Sequence, residues 1–465
     1  MAFFKRAKGT HKVATGKGKR PGKPGKSTAE APSKKSRLAV AEGDVSSDDD
    51  DILYNDARNA RIQEHSDDDY EDTQTKAYRE AKELLEKIKD GEASDGDTDE
   101  ENHAISHRLI KDAQTKLGIL HRKIAEGAGI DREDVLIYRP HRYSPVAVAV
   151  SKDSRYIVSC SKDGSVVKYD LKEMKKVGTI RHSKEKLTDH KGTILAIAIS
   201  PDSRYLVTGG IDKTIKVWNF ETLEFFKDLG THRGAVTSLV FRQHGTLEMY
   251  SGSTDRSIKA WNLDQMGYMD TMFGHQDGVL QLDMLNKPRV LSCGGQDRTL
   301  RLFKVMEDSQ LVFNGFNDCI SIDTAALIDD DHFVSGSADG SVSIWGAQRK
   351  KPLTVVRQAH GRNTTTHEPN WITAVAAAHN TDLVASGSSD GILRLWQISN
   401  DYKAIKQIEA YPIKGFVNAL RFIDNGRRLV VAIGQEHKNG RWWKVPEAKN
   451  SIVVLSVTQA SNSVA

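Results

Sequence analysis

The sequence predicts an all-β fold, a seven-bladed β-propeller, preceded by an N-terminal extension that is disordered and partly helical. The main observation is a repeat with fixed internal spacing, in which an Asp in a tight turn is followed six residues later by an aromatic residue. The pairs are Asp163/Tyr169, Asp212/Trp218, Asp255/Trp261, Asp297/Phe303, Asp339/Trp345 and Asp390/Trp396. Successive aspartates lie 49, 43, 42, 42 and 51 residues apart, close to the roughly 40–45 residues of one four-stranded blade.

Two further positions belong to the same repeat. A Ser or Thr stands four residues before the Asp at Ser159, Thr208, Ser251, Ser335 and Ser386. A His precedes the Asp by 22 or 23 residues at His141, His190, His232 and His275, and by 30 residues at His360. Matches of this length leave little room for chance, so the repeat indicates six consecutive blades.

The repeated side chains can form one buried hydrogen-bond network in each blade. The Asp accepts a hydrogen bond from the His, the His bonds the Ser or Thr hydroxyl, and that hydroxyl faces the indole N–H of the Trp. Buried polar groups are costly unless they are hydrogen-bonded. We therefore expect these residues to be structural and not an acid–base pair. They include His190, Thr208, Asp212, Trp218, His232, Ser251, Asp255 and Trp261.

Two blades are expected to lack the full network. Before Asp297, Cys293 stands in the place of the Ser, and Phe303 stands in the place of the Trp. In the fifth blade Phe316 occupies the place of the His. These blades should rely more on apolar packing.

The six repeats leave one further blade's worth of chain at the C-terminus. Three of its strands are expected at residues 416–422, 428–433 and 451–457. The fourth is best supplied by residues 134–138, so that the two ends of the propeller domain, residues 131–458, pair and close the ring. A closed ring leaves no long free sheet edge. A competing assignment takes Glu436 and Trp442 as the acidic and aromatic pair of this blade.

The N-terminal residues carry segregated charge. Residues 1–40 hold twelve Lys and Arg against one acid, whereas residues 44–101 hold 22 Asp and Glu against seven Lys and Arg. Such blocks stay solvated, so we expect residues 1–73 and 459–465 to be disordered. Basic clusters indicate nuclear import or nucleic-acid contact, unless the tail is merely solubilising, at Lys17, Lys19, Arg20, Lys34, Lys35 and Arg37. Serines beside acidic runs suit an acidophilic kinase, unless the linker is unmodified, at Ser46, Ser47, Ser66 and Ser94.

Residues 74–130 are predicted to be a helical lead-in with an acidic linker. Over residues 74–89, and again over residues 102–126, apolar residues recur on one helix face at three-to-four spacing. Gly127 and Gly129 should end the second helix. Each apolar stripe needs a surface to cover, which is either the propeller or a partner.

Three insertions into the regular repeat are the places where recognition is expected, because loops on a rigid scaffold usually carry binding residues. They are residues 181–189, 360–371 and 434–444. In the third, two adjacent tryptophans flanked by basic residues suit base stacking and phosphate contact. Its candidate RNA-binding or partner-binding residues are His437, Lys438, Arg441, Trp442, Trp443 and Lys444. The alternative is that the two tryptophans cap the blade against a neighbour or against the N-terminal helices.

No pattern of catalytic or metal-binding residues is found. The chain has no phosphate-cradling glycine loop, no metal-ligand spacing and no nucleophile elbow, and its three cysteines form no Cys-x-x-Cys pair. We therefore expect no enzymatic activity, no metal, no cofactor and no small-molecule substrate. No apolar run approaches the roughly 18 residues of a membrane span, and no signal peptide is recognised, so no membrane partner is expected.

Several strings in the chain resemble the family of U3 small nucleolar RNA-interacting WD-repeat proteins. The most specific are Gly-Gln-Glu-His at 434–437, Gly-Arg-Trp-Trp at 440–443 and Asn-Ser at 450–451; others are Gly-His-Gln-Asp at 274–277, Glu-Asp-Ser-Gln-Leu-Val-Phe at 307–313, Ala-Asp-Gly-Ser at 338–341 and Asn-Thr-Asp-Leu-Val-Ala at 380–385. The resemblance implies a nucleolar component of the U3 box C/D snoRNP. Its partners would be the box B/C region of U3 snoRNA, a kink-turn-binding core protein and other proteins of the small-subunit processome. It would then support pre-rRNA processing.

The main alternative is a protein-interaction propeller, such as a ubiquitin-ligase substrate receptor or a chromatin subunit, without direct RNA binding. Such receptors usually have Asp and Arg after the blade Trp. Here the residues after Trp218, Trp261, Trp345 and Trp396 are Asn, Asn, Gly and Gln, which weakens that alternative. A G-protein-β-like signalling scaffold is a third class, and the charged tails count against it.

Overall fold

The computed structural model describes residue 109 and residues 121–181, 188–316, 319–363 and 366–458. Within them, 28 strands form seven four-stranded antiparallel sheets. The first strands of adjacent sheets pack side by side around a central axis, and the first strand of the last sheet packs against that of the first. The predicted seven-bladed propeller is therefore confirmed, while the predicted disordered tails lie outside the described residues.

The first six blades follow one another along the chain. Blade 1 contains β2 (Pro145–Val150), β3 (Tyr156–Ser161), β4 (Val166–Asp170) and β5 (Lys175–Ile180). Blade 2 contains β6 (Ile194–Ile199), β7 (Tyr205–Gly210), β8 (Thr214–Asn219) and β9 (Phe225–Thr231). Blade 3 contains β10 (Val236–Phe241), β11 (Glu248–Ser253), β12 (Ser257–Asn262) and β13 (Gly267–Phe273).

Blade 4 contains β14 (Gln281–Met284), β15 (Arg289–Cys293), β16 (Thr299–Lys304) and β17 (Ser309–Asn314), with a 3₁₀ turn at Val305–Glu307. Blade 5 contains β18 (Ile322–Leu327), β19 (His332–Ser337), β20 (Val342–Gly346) and β21 (Thr354–Val356). Blade 6 contains β22 (Ile372–Ala377), β23 (Leu383–Ser388), β24 (Ile392–Ile398) and β25 (Ile405–Pro412).

Blade 7 joins the two ends of the domain. It contains β26 (Phe416–Ile423), β27 (Arg428–Gly434), β28 (Ser451–Thr458) and β1 (Gly129–Tyr138), with a 3₁₀ turn at Asp424–Gly426. The outermost strand β1 pairs antiparallel with β28, so that Tyr138 lies opposite Ile452. The strand starts earlier than residue 134 and carries an irregularity between Ile130 and Val135. The ring is thus closed by the pairing that the sequence indicated.

Burial follows the position of each strand in its blade. All six residues of β22, an inner strand, are buried, because both faces of an inner strand pack against neighbouring blades. An outer strand such as β13 exposes most of its side chains. Apolar clusters fill the spaces between adjacent blades; the cluster between blades 6 and 7 includes Leu395, Val417 and Leu455. The propeller is held together by these interfaces between blades, as the burial of apolar surface requires.

The hydrogen-bond network is present in blades 2, 3 and 6. In blade 2, His190 Nδ1 lies 2.9 Å from Asp212 Oδ2, and its Nε2 lies 2.7 Å from Thr208 Oγ1. The indole N–H of Trp218 donates to the same hydroxyl at 2.8 Å. Burial opposes ionisation of Asp212, but hydrogen bonds from His190 and from backbone N–H groups outweigh it and lower the pKa of Asp212 to about 2. The network therefore holds an ionised Asp.

The other two complete networks have the same geometry as that of blade 2. In blade 3 the distances from His232 to Asp255 and Ser251 are 3.0 and 2.8 Å, and Trp261 donates to Ser251 at 2.8 Å. In blade 6, His360 Nδ1 lies 3.0 Å from Asp390 Oδ2, in spite of the longer spacing along the chain. The insertion before this blade therefore leaves its network intact.

The network of blade 4 corrects a sequence expectation. The residue that bonds His275 Nε2 is Ser292, at 2.7 Å, and not Cys293 in the predicted Ser place. One extra residue lies between this hydroxyl and Asp297, which still lies 2.7 Å from His275 Nδ1. Only the Trp is replaced, by Phe303, so this blade has three of the four members.

Blades 1 and 5 depart from the network in different ways. In blade 1, His141 bonds Ser159 at 2.8 Å and Ser165 at 3.0 Å. Blade 5 lacks the His, as expected from Phe316, and its Trp345 still donates to Ser335 at 2.9 Å. The hydroxyl–indole pair thus persists where the imidazole is missing.

The end of the lead-in is extended and not helical, which corrects the helix predicted for residues 102–126. Arg122 N donates to the carbonyl of Asn380 at 2.8 Å, and the N–H groups of Ile124 and Ala125 donate to Asp382 Oδ1 at 2.8 and 3.0 Å. Blade 6 thus supplies the bonds that a helix would have made internally. Leu109 is helical; the remainder of residues 102–120 and the predicted helix at 74–89 lie outside the described residues.

Candidate nucleic-acid interface

The longest departure from the repeat in blade 7 is the segment between β27 and β28, residues 435–450, here called the blade 7 insert. Successive turns of an antiparallel blade alternate between its two ends. The insert therefore lies at the end of the propeller that carries the turns with Asp163, Asp212, Asp255 and their equivalents. We call this end the Asp-turn face.

The base of the insert is fixed by hydrogen bonds to its own ends and to blade 1. Gln435 N donates to Asn450 Oδ1 at 2.9 Å, and Gln435 Nε2 donates to the carbonyl of Ala448 at 2.7 Å. Asn450 Nδ2 donates to the carbonyl of Arg142 at 2.9 Å. Glu436 N donates to Ser144 Oγ at 3.1 Å. The tip of the insert is thus presented on a rigid support.

A buried lysine from blade 1 clamps the middle of the insert. Lys162 Nζ donates to the carbonyl of Gly440 at 2.7 Å and to Glu436 Oε2 at 3.2 Å. Burial lowers the pKa of Lys162, and the carboxylate of Glu436 opposes this effect. Arg441 Nε also lies 3.4 Å from Glu436 Oε2. One carboxylate therefore links the insert to blade 1 and orients Arg441.

His437 points into the protein, and the structure corrects its predicted role as a contact residue. The residue is 2% exposed, and its ring lies 4.2 Å from that of Trp371, centroid to centroid. Burial, helped by Lys438 and Lys162, lowers the pKa of His437 to about 3. The imidazole is therefore neutral near pH 7 and packs the insert against blade 6, where a surface ligand cannot reach it.

Lys438 closes one end of the central channel. The channel is lined by the first strands of all seven blades, and Lys438 and Asn439 join this lining. Burial lowers the pKa of Lys438, while Cys293 and Asp323 act in the opposite direction. Asp323 itself accepts a hydrogen bond from the indole of Trp371. Lys438 is half-buried, so its position also suits anchoring more than contact with a ligand.

The four remaining candidate residues form a continuous exposed group. Trp442 is 68% and Trp443 is 52% exposed, and Arg441 and Lys444 on either side are exposed as well. Large apolar side chains are seldom left this open without a partner. Trp442 lies between the strands β27 and β28, and among the described residues it takes part in no blade network. The assignment of Glu436 and Trp442 as a seventh repeat pair is therefore wrong.

Gly440 allows the ring of Trp442 to fold back over the backbone of the insert. A Cβ at position 440 would lie 2.2 Å from Cζ3 of Trp442. A side chain at position 440 would push the exposed indole aside, so the glycine permits this position of the ring.

Sequence reasoning missed Lys162, Trp371 and Asp323, which position the insert. Each lies in a different blade from it, so no local pattern could have linked them. Of the other two insertions, residues 182–187 and 364–365 lie outside the described residues. All the candidate nuclear-import and phosphorylation residues also lie outside the described residues. In the part of the chain that is described, no group of three or more His, Cys, Asp or Glu side chains could hold a metal ion, and no helix is long and apolar enough to cross a membrane.

The fold and its network define a WD-repeat β-propeller protein. The family model described as WD domain, G-beta repeat matches residues 132–170, 181–219, 224–262, 267–304, 309–346 and 361–397. The Arabidopsis thaliana U3 snoRNP-associated protein-like EMB2271 is 31% identical over 88% of this chain and 91% of its own length. The human U3 small nucleolar RNA-interacting protein 2 is 35% identical over 83% of this chain and 82% of its own length. The chain belongs to this family of U3 snoRNP-associated WD-repeat proteins, as the resemblance indicated.

Two solved structures share the propeller. One, titled "Structure of U3-55K", superposes with a TM-score of 0.67 at 39% identity and covers 70% of this chain and 100% of the other. The other, titled "Crystal structure of RRP9 WD40 repeats", gives a TM-score of 0.68 at 39% identity and covers 71% of this chain and 99% of the other. The likeness thus covers all or nearly all of each solved chain.

Proposed function

We propose that the protein is a non-enzymatic component of the U3 box C/D snoRNP that binds the box B/C region of U3 snoRNA. In this role it supports pre-rRNA processing for the small ribosomal subunit, in the nucleolus, together with a kink-turn-binding core protein and other processome proteins. The names of its relatives support membership of the U3 snoRNP. The blade 7 insert supports direct contact between the protein and the RNA. The observation that carries the proposal is the exposed Trp442–Trp443 pair between Arg441 and Lys444.

The chemistry of this group suits unpaired bases. Proteins that read RNA by sequence mostly bind loops and bulges, whose bases stack on aromatic side chains. Each base stacked on an aromatic ring contributes about 1–3 kcal/mol. Arg441 and Lys444 flank the two rings and are exposed, and charged contacts to phosphate add affinity that falls with salt. The clamp of Lys162 and Glu436 holds the group in place before the RNA arrives.

The experiment measures binding of U3 box B/C RNA, with the kink-turn-binding protein present, to wild type and to a Trp442→Ala/Trp443→Ala variant. Losing two stacked bases at about 1 kcal/mol each predicts a loss of affinity of at least about 30-fold. The matched control is Phe226→Ala/Met306→Ala, which removes two side chains that are 53% and 82% exposed at the opposite end of the propeller. All three proteins should have the same melting temperature, because none of the four side chains is buried.

Each alternative result has a definite meaning. If the double variant and wild type bind the RNA with equal affinity, the RNA-binding site is not on the insert. If wild type does not distinguish U3 RNA from an unrelated box C/D RNA, the proposed function fails. That result would favour a protein-interaction propeller without direct RNA binding.

A further inference from the structure

The turns of the Asp-turn face share one backbone conformation. In each of six blades, the residue after the turn Asp has a positive φ. Three blades use glycine there: Gly164 at 76°, Gly340 at 76° and Gly391 at 73°. Blades 2, 3 and 4 instead use a cationic residue: Lys213 at 70°, Arg256 at 71° and Arg298 at 57°.

A Lys or Arg at this position is conformationally less favourable than a glycine. The left-handed region is unfavourable for residues with a Cβ, and glycine is the ordinary solution. Asn and Asp are the usual substitutes, since their short side chains bond locally. Lys and Arg offer no such local bond, yet they occupy the position in three adjacent blades. Each of these three turns therefore places a long cationic side chain on the Asp-turn face.

Three more cations lie beside these turns. The residue that follows the network His is Arg142 in blade 1, Lys191 in blade 2 and Arg233 in blade 3. All six cationic side chains are exposed. Among the described residues, none of the six forms an ion pair or a side-chain hydrogen bond. We call Arg142, Lys191, Lys213, Arg233, Arg256 and Arg298 the cationic arc.

The acids of the same turns do not neutralise the arc by pairing with it. Asp212, Asp255 and Asp297 point into the blades, where they accept hydrogen bonds from the network His and from backbone N–H groups. Their oxygens are occupied there, so the arc faces solvent with its charge unpaired.

At the opposite end of the propeller, several cations form ion pairs. There Arg155 pairs with Asp170 at 2.9 Å and Arg289 pairs with Asp331 at 2.9 Å. Lys287 lies 3.4 Å from Asp330. Ion pairs thus neutralise some of the exposed cations at that end, whereas none of the six cations of the arc is paired among the described residues.

We propose that the cationic arc binds the phosphate backbone of the RNA whose bases stack on the blade 7 insert. The inference rests on the proposed function and adds a second contact surface to it, running across blades 1 to 4. Blade 1 adjoins blade 7, and Asn450 of the insert is bonded to the carbonyl of Arg142, so the arc begins where the insert ends. An RNA fits better than an acidic peptide because exposed aromatic rings accompany the cations: Trp442, Trp443 and Tyr143.

The test uses the residue that the other blades already have. A Lys213→Gly/Arg256→Gly/Arg298→Gly variant removes three charges and also relieves the left-handed strain, so its melting temperature should equal or exceed that of wild type. Affinity for U3 box B/C RNA, with the kink-turn-binding protein, should fall about tenfold or more at moderate salt. The slope of log affinity against log salt should become shallower by about 2–3, or about 0.7–1 for each lost phosphate contact.

The control variant removes the same charge from the opposite end of the propeller. Lys152→Ala/Lys172→Ala/Arg427→Ala changes three exposed cations in turns that form no ion pair among the described residues. It should keep both the affinity and the salt slope of wild type. A glycine variant that behaves like this control overturns the arc, and the proposed function still stands if the Trp442→Ala/Trp443→Ala variant loses binding. Immobilised polyglutamate serves as a probe for binding of an acidic protein. If the glycine variant keeps RNA binding but binds polyglutamate more weakly than wild type does, the arc is a protein-docking surface and the proposal is overturned.

Discussion

Replacing Thr208 by Val isolates the blade network, because Val has nearly the same shape and carries a methyl group in place of the hydroxyl. Thr208 is fully buried. Its hydroxyl lies 2.7 Å from His190 Nε2 and accepts the indole N–H of Trp218 at 2.8 Å. The substitution leaves no cavity but takes the partner from two buried polar groups. Each such group costs about 1–3 kcal/mol, so Thr208→Val should lower the free energy of unfolding by about 2–6 kcal/mol.

The assay is urea unfolding followed by tryptophan fluorescence and circular dichroism, with the two probes required to coincide. Thr222→Val is the control, since Thr222 is exposed and its hydroxyl makes only long bonds of 3.3–3.4 Å. Its effect should stay within about 0.5 kcal/mol. If Thr208→Val is no more destabilising than Thr222→Val, the network does not stabilise the blade, and the structural role assigned to its His and Asp is refuted.

Two further outcomes are expected at the blade 7 insert. Because burial, Lys438 and Lys162 lower the pKa of His437 to about 3 from 6.5, the unfolded chain gains a proton below pH 6.5 that the folded chain does not. Between pH 6.5 and 5, wild type should therefore lose about 2 kcal/mol more stability than His437→Phe, and parallel pH profiles in urea unfolding would contradict the assignment. Gly440→Ala should displace the Trp442 ring and weaken U3 RNA binding with an unchanged melting temperature. Unchanged affinity relative to Gly267→Ala, whose added Cβ meets only one atom at 3.9 Å, would show that the position of the ring is unimportant.

The repeat made the propeller predictable from sequence. The interval from Asp212 to Trp218 recurs in six blades, and each interval spans one strand, so blade number and strand order follow from it. The closing strand was predictable because a ring cannot leave an edge unpaired. Ser292 was missed because a single extra residue before Asp297 shifts the hydroxyl out of the expected place, and spacing alone cannot show such a shift.

Other features depend on contacts between distant parts of the chain. The apolar residues Ile124 and Ala125 look like one face of a helix, but they pack as extended chain on the cluster between blades 6 and 7. His437 and Lys438 look like surface residues of a basic loop until Trp371 and Asp323 are placed beside them. The exposed group at Arg441, by contrast, was visible from sequence, because two adjacent tryptophans between cations fit neither a strand nor a tight turn.

The central claim is that the Trp442–Trp443 pair contacts U3 snoRNA, and ultraviolet crosslinking in cells tests it most directly. Tagged wild type and the Trp442→Ala/Trp443→Ala variant would be crosslinked and purified, and the attached RNA would be sequenced. We predict crosslinks concentrated on the box B/C region of U3 in wild type and lost in the variant. Concentrated crosslinks that persist in a well-folded variant would contradict the assignment of the insert, and no enrichment of U3 in wild type would contradict RNA binding altogether.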